Sequence, residues 1–305
     1  MTDLDLGTLV LGGNVFGWTA DLDESHRVLD AFVAAGGRAI DTADVYSAWV
    51  DGNAGGESEE ILGGWLRTRT DRDDLVVATT VGMLAERPGL SPANVRAALD
   101  ESLRRLGTDH VDLYYAHRDD EDTPQEEYLA AFDELVTAGK VREIGASNFT
   151  PERLRSADAL AREAGLTPFT VAQDPWNLVQ RDVEREQVAA VDALGMVQLP
   201  YSSLASGFLT GKYRPGQDVD SVRSGTAAKH LEQPWADELL RTLDDVAGAH
   251  GVSVTAVSLA WLRVQPTVGA PIASARSVEQ LAALVESMTL ELTEDEVRRL
   301  SAITA

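Results

Sequence analysis

The chain has 305 residues, 44% of them hydrophobic, and a formal net charge of -24 from 50 acidic and 26 basic side chains. That length and apolar content suit a barrel of alternating strands and helices folded as one unit. The negative field disfavours nucleic-acid and anionic-membrane partners, and the lack of cysteine excludes disulfides, thiolate chemistry and cysteine-bound metals.

The N-terminal stretch Met1-Thr2-Asp3-Leu4-Asp5-Leu6 has no basic segment ahead of an apolar one, and no apolar run reaches membrane-spanning length. The expectation is a soluble cytoplasmic protein with a small-molecule partner, no nucleic acid and no membrane.

The first strand is expected over residues 8–12. The following Leu11-Gly12-Gly13-Asn14-Val15 lacks the glycine spacing of a dinucleotide-binding turn, which weighs against an open doubly wound sheet. A second strand, 38–42, ends in Asp41-Thr42-Ala43-Asp44-Val45-Tyr46, placing a carboxylate and a phenol at a strand C-terminus. A glycine-bearing loop with Trp49 follows. The third strand, 75–80, ends in Thr80.

Helix starts are marked by Ser91-Pro92, Thr123-Pro124 and Thr150-Pro151, each a hydroxyl before a proline at the first helical position. Thr123 to Glu126, Ser277 to Gln280 and Thr293 to Glu296 have capping-box spacing. Val95, Leu99, Leu103 and Leu106 recur at helical spacing, as do Leu129, Phe132, Leu135 and Val136. Strand four, 111–117, ends in His117, and further strands are expected at 143–147, 170–173, 196–201 and 268–272. Several are unbroken apolar runs, as expected of strands buried on both faces. The longest connection, about 202 to 232, follows strand seven. Eight strand–helix units without a compositional break predict a single (β/α)8 TIM barrel spanning residues 1–305. An acid, a phenol and an imidazole at strand C-termini suit proton transfer.

Five segments in order resemble the aldo-keto reductase family, in the branch that includes the potassium-channel beta subunits. They are Asp41-Thr42-Ala43-Asp44-Val45-Tyr46, then Asp112-Leu113-Tyr114-Tyr115-Ala116-His117, then residues 139–149, 201–213 and 275–281. The resemblance implies a barrel that binds a nicotinamide dinucleotide across its C-terminal face and reduces a carbonyl to an alcohol. In that reading Tyr46 resembles the proton donor, His117 the imidazole that orients the carbonyl, and Asp41 the carboxylate behind them. Ser147, Asn148 and Gln173 match the side chains that hold the carboxamide, and Tyr201 the ring that stacks on the nicotinamide. Ser202, Leu204, Ser206 and Lys212 match the pyrophosphate loop. Ser274, Arg276 and Gln280 fall where the family binds the adenosine 2′-phosphate, beside a helix N-terminus suited to anions.

Two departures bear on activity and cofactor. The family has a lysine where this chain has Thr80, and that lysine lowers the phenol's pKa. Its loss leaves three readings open: a slow reductase in which Asp41 is protonated or bonded to Thr80 and His117 shares the acid role; a nucleotide-binding regulatory or scaffold protein with negligible turnover; or an engineered substitution that silences an ordinary enzyme. A cofactor-free lyase or isomerase using Asp41 and His117 is a further alternative. Ala283-Leu284 replaces the Glu-Asn that many relatives use for the adenine, and Ser274 stands where some have lysine. Arg276 makes NADPH the expected cofactor, with NADH as the alternative. Phe16, Trp18, Trp49, Trp176 and Phe208 are the expected pocket walls for an apolar or sugar-like carbonyl.

Overall fold

In a computed structural model, residues 2–216, 219 and 224–304 are described. Eight parallel strands form one sheet: β1 (Val10–Gly12), β2 (Ala39–Asp41), β3 (Val76–Val81), β4 (Val111–Ala116), β5 (Val141–Ser147), β6 (Val171–Gln173), β7 (Val197–Gln198) and β8 (Ile272–Ala273). They run in sequence order with β8 beside β1. The two ends are joined through Gln198 N–H to Thr267 O (2.8 Å), Gly269 N–H to Gln198 O (2.9 Å) and Ile272 N–H to Pro200 O (2.8 Å). The sheet thus closes into a (β/α)8 barrel.

The helices are α1 (Leu22–Ala34), α2 (Glu57–Leu66), α3 (Pro92–Leu106), α4 (Gln125–Thr137), α5 (Pro151–Ala164), α6 (Gln187–Ala193), α7 (Ser224–Leu231), α8 (Ala236–His250), α9 (Val254–Arg263), α10 (Val278–Glu286) and α11 (Glu294–Ile303). Ser91 and Thr150 cap α3 and α5 ahead of their prolines. Thr293 and Glu296 form the complete capping box of α11. At Gly63 in α2 an added Cβ would lie 2.1 Å from Arg105 O, so glycine there lets α2 and α3 meet backbone to backbone.

Three local expectations need correction. Thr123 does not cap α4: its hydroxyl donates to Asp120 Oδ2 at 2.8 Å, and Pro124 occupies the N-cap. The eighth strand is Ile272–Ala273 rather than 268–272, because Val268 makes only an isolated bridge to Gln198 while Ile272 pairs with β1. The connection after β7 is partly helical, containing the turn Ala205–Thr210 and all of α7.

Alternate residues face opposite ways along a strand. Val10, Ala39, Val76, Ala78, Leu113, Tyr115, Val171 and Leu199 pack together inside the barrel, whereas Leu11, Ile40, Val77, Tyr114 and Ala172 pack outward against the helices. Counting by twos along the inward set leads to Asp41, Thr80, His117, Gln173 and Tyr201. Five expected site residues therefore share the inward parity at the C-terminal ends of their strands. No helix among the described residues is long and apolar enough to cross a membrane.

Candidate active site

The centre of the mouth is an acid–phenol–amide chain. Asp41 ends β2 and is almost fully buried. Tyr46 reaches back over the intervening turn, its hydroxyl 3.1 Å from Asp41 Oδ2. Gln173, at the end of β6, donates from Nε2 to the other oxygen at 3.0 Å. Burial pushes the Asp41 pKa up to about 7, and the hydrogen bonds from Gln173 and Tyr46 oppose that rise. Burial, and then the Asp41 charge, push the Tyr46 phenol well above its ordinary value. This is the field expected when no cation stands at position 80.

His117 follows β4, and its ring centroid is 6.4 Å from that of Tyr46. Burial pushes its pKa down to about 4, so the imidazole is neutral at physiological pH. Its backbone is held by Val81 O on one side (2.9 Å) and by the Asn148 amide on the other (2.9 Å). The Thr80 hydroxyl does not bond Asp41 and lies instead 2.8 Å from His117 Nδ1. Of the two options open for Asp41 in the slow-reductase reading, the bond to Thr80 is therefore not formed.

Ser147, Asn148, Gln173 and Tyr201 form one connected set. Ser147 Oγ donates to Gln173 O (2.9 Å), Asn148 Nδ2 to Ser147 Oγ (3.0 Å), and the Tyr201 hydroxyl to Asn148 Oδ1 (2.7 Å). Asn148 is exposed and adopts a left-handed φ of 58°, a conformation asparagine tolerates better than most residues. Asp174, a neighbour the sequence reading missed, lies beneath them. It accepts from Gln187 Nε2 (2.9 Å) and Gln198 Nε2 (3.2 Å), and burial pushes its pKa up to about 6. Its only sequence signal is that it directly follows Gln173.

Ser202, Ala205, Ser206 and Gly207 have positive φ (53°, 47°, 57° and 93°) in the loop after β7. Lys212 stands over this loop: a Cβ added at Gly207 would sit 3.7 Å from its Nζ. Curled backbone with a lysine above it fits a pyrophosphate. Leu204 differs in kind, because its side chain packs partly buried against the core.

At the far end, Ser274 Oγ donates to Asn14 Oδ1 at 2.7 Å. Arg276 is exposed, with its guanidinium in no ion pair among the described residues. Gln280 accepts from Arg276 N–H at 3.3 Å, and its own N–H is capped by Ser277. The N-terminus of α10 already holds a carboxylate, since Glu24 Oε1 accepts from Val278 N–H at 3.1 Å while Glu24 also pairs with Arg27. Nothing in the local sequence pointed to Glu24, 254 residues away.

Among the expected pocket walls, Trp18 and Trp49 meet edge to face at 5.5 Å, and Trp49 approaches Tyr46 at 6.2 Å. Trp49 is 49% exposed. Trp176 is a correction. It is fully buried among helix-side residues, its Nε1 donating to Glu184 Oε1 at 3.0 Å, so it does not line the mouth. Phe16 and Phe208 are likewise core residues.

The barrel carries an acid, a phenol, an imidazole and a hydrogen-bonded set of polar side chains on its C-terminal rim, and the chain matches the aldo/keto reductase family model over residues 6–305. The chain belongs to the aldo/keto reductase family. It is 32% identical to the uncharacterized oxidoreductase YrpG of Bacillus subtilis over 99% of this chain and 93% of that protein. It is 31% identical to the norsolorinic acid reductase of Emericella nidulans over 97% and 76%. Against the aryl-alcohol dehydrogenase [NADP(+)] of Phanerodontia chrysosporium the identity is 30%, over 99% and 82%. Family membership supports an oxidoreductase that uses a nicotinamide cofactor on small carbonyl compounds.

Proposed function

We propose that this aldo/keto reductase reduces an aromatic aldehyde or ketone to the alcohol, with NADPH as cofactor. The observation that carries the reading is the meeting of Tyr46, Asp41 and Gln173 beside His117, all facing the barrel mouth. Bound reduced nicotinamide supplies a hydride to the carbonyl carbon.

The residues of this chain supply the proton and the orientation. Tyr46 donates its hydroxyl proton to the carbonyl oxygen as negative charge develops there. Asp41, whose pKa burial raises to about 7, can carry a proton near neutral pH and lies 3.1 Å behind the phenol. Its proton refills Tyr46, so the phenolate does not persist beside a carboxylate. This acid-backed phenol takes over from a lysine-activated one. His117, neutral, fixes the direction of the carbonyl oxygen.

Ser147, Asn148 and Gln173 hold the carboxamide, Tyr201 supports the ring, and Lys212 with the left-handed loop receives the pyrophosphate. Arg276, in no ion pair among the described residues, is the cation for a 2′-phosphate, which leans on that side chain because Glu24 occupies the helix terminus. Trp18 and Trp49 support the aromatic substrate class, as do the relatives from Emericella nidulans and Phanerodontia chrysosporium, a norsolorinic acid reductase and an aryl-alcohol dehydrogenase. The test is oxidation of NADPH with a panel of aromatic and aliphatic aldehydes, for the native chain and for Tyr46→Phe. Aromatic-preferring turnover that falls about a hundredfold in Tyr46→Phe is expected. Cofactor binding without turnover on any carbonyl would favour the regulatory reading.

A further inference from the structure

The hydroxyl of Thr80 and Nδ1 of His117 are 2.8 Å apart, and Thr80 is completely buried. Two arrangements of hydrogen satisfy that distance, and they leave different groups unpaired. If Nδ1 carried the hydrogen and donated, the Thr80 hydroxyl would need a separate acceptor for its own proton. Among the described residues it has none besides His117, and Thr79 next to it is already committed to Glu59 Oε1 at 2.5 Å. A buried donor with no acceptor loses its hydrogen bond to water and gains none in return. If Thr80 donates to Nδ1, its proton is satisfied and only lone pairs on its oxygen go unused, a smaller loss. A neutral imidazole that accepts at Nδ1 carries its single hydrogen on Nε2.

We infer that Thr80 is a positioning residue that fixes His117 as the Nε2–H tautomer, so that Nε2 presents a hydrogen-bond donor to the substrate's carbonyl oxygen. Nε2 has no protein partner among the described residues, while Nδ1 and the backbone of His117 are all engaged. The ring is held by one edge and offers the other. Threonine suits the task because its branched Cβ restricts χ1 and so fixes the hydroxyl. Position 80 thus contributes through imidazole orientation, where a lysine would have contributed charge. The inference deepens the carbonyl-reduction reading and rests on it for its catalytic consequence, but the tautomer is a property of the free protein.

The experiment uses the full chain labelled with 15N at histidine, with His117 signals assigned by loss in His117→Gln. Long-range proton–nitrogen spectra at pH 7 report which ring nitrogen carries hydrogen. The native protein and Thr80→Ser are expected to show the Nε2–H pattern. Thr80→Val, which keeps the shape and removes the hydroxyl, is expected to show a mixture of tautomers. Its kcat/KM for an aldehyde should drop on the order of tenfold with unchanged NADPH affinity, and Thr80→Ser should restore it. An Nδ1–H pattern in the native protein, or an unaltered pattern in Thr80→Val, would overturn the inference. A native Nε2–H pattern that Thr80→Val disrupts, in a protein that reduces no carbonyl, upholds the positioning and sinks the reduction reading instead.

Discussion

Gln173 and Asp41, 132 residues apart, meet across the barrel with Nε2 donating to Oδ1 at 3.0 Å. That bond stabilises the ionised carboxylate against the burial that opposes it. The acid behind Tyr46 therefore titrates near neutrality instead of staying protonated throughout.

A pH dependence follows. Burial raises the Asp41 pKa to about 7, so the acid form prevails below that value and the anion above it. If the acid refills Tyr46, the rate of carbonyl reduction falls as pH rises through about 7. Removing the Gln173 bond raises the pKa further, so Gln173→Leu should move the descending limb to higher pH. Asp41→Asn should abolish the limb. Steady-state profiles of kcat/KM from pH 5 to 9 would check both, and a flat native profile would refute the relay.

The proposed preference for NADPH rests on two side chains of opposite sign. Arg276 is exposed, with its guanidinium in no ion pair among the described residues, whereas Glu24 sits on the N-terminal N–H of α10. Arg276→Ala should weaken NADPH several-fold and leave NADH nearly unchanged. Glu24→Gln should tighten NADPH by roughly two- to fivefold, because a charge at a helix terminus is worth about 0.3–1 kcal/mol. Tryptophan-fluorescence titration of both cofactors measures each change without turnover. Equal effects on NADH and NADPH would place the 2′-phosphate elsewhere.

Trp49 and Trp176 should behave as opposites. Trp49 is about half exposed beside Tyr46, so Trp49→Ala should raise KM for aromatic aldehydes and leave the thermal midpoint within a degree or two. Trp176 is wholly buried, and Trp176→Ala should cost about 3–5 kcal/mol of stability. Urea denaturation alongside KM for benzaldehyde separates the two roles.

Behind the Tyr46 turn, Asp44 is fully buried and neither of its oxygens is within hydrogen-bond geometry of a partner among the described residues. Burial pushes its pKa up to about 7, with the charge of Glu59 adding to the rise. A carboxyl raised on folding contributes its stability below the unfolded pKa and loses it as pH climbs through the folded one. The native protein should thus lose stability between pH 5 and 8, and Asp44→Asn should lose roughly 2 kcal/mol less over that interval. Urea midpoints at the two pH values decide it, and parallel losses in both proteins would count against the shift.

The sequence by itself determined the barrel, because unbroken apolar runs alternating with amphipathic stretches admit few other burials, and because hydroxyl–proline pairs mark helix starts locally. It also placed Asp41, Thr80, His117 and Gln173 at strand ends, where the period of two sends them inward. It failed where one residue had rival partners: Thr123 turned to Asp120 instead of its helix, and Trp176 joined the helix-side core instead of the mouth. Only the tertiary structure decided that Thr80 serves His117 rather than Asp41, and that Glu24 reaches α10. A strand's pattern fixes which face a side chain takes, whereas its hydrogen-bond partner depends on the register between strands and on contacts between residues far apart in the chain.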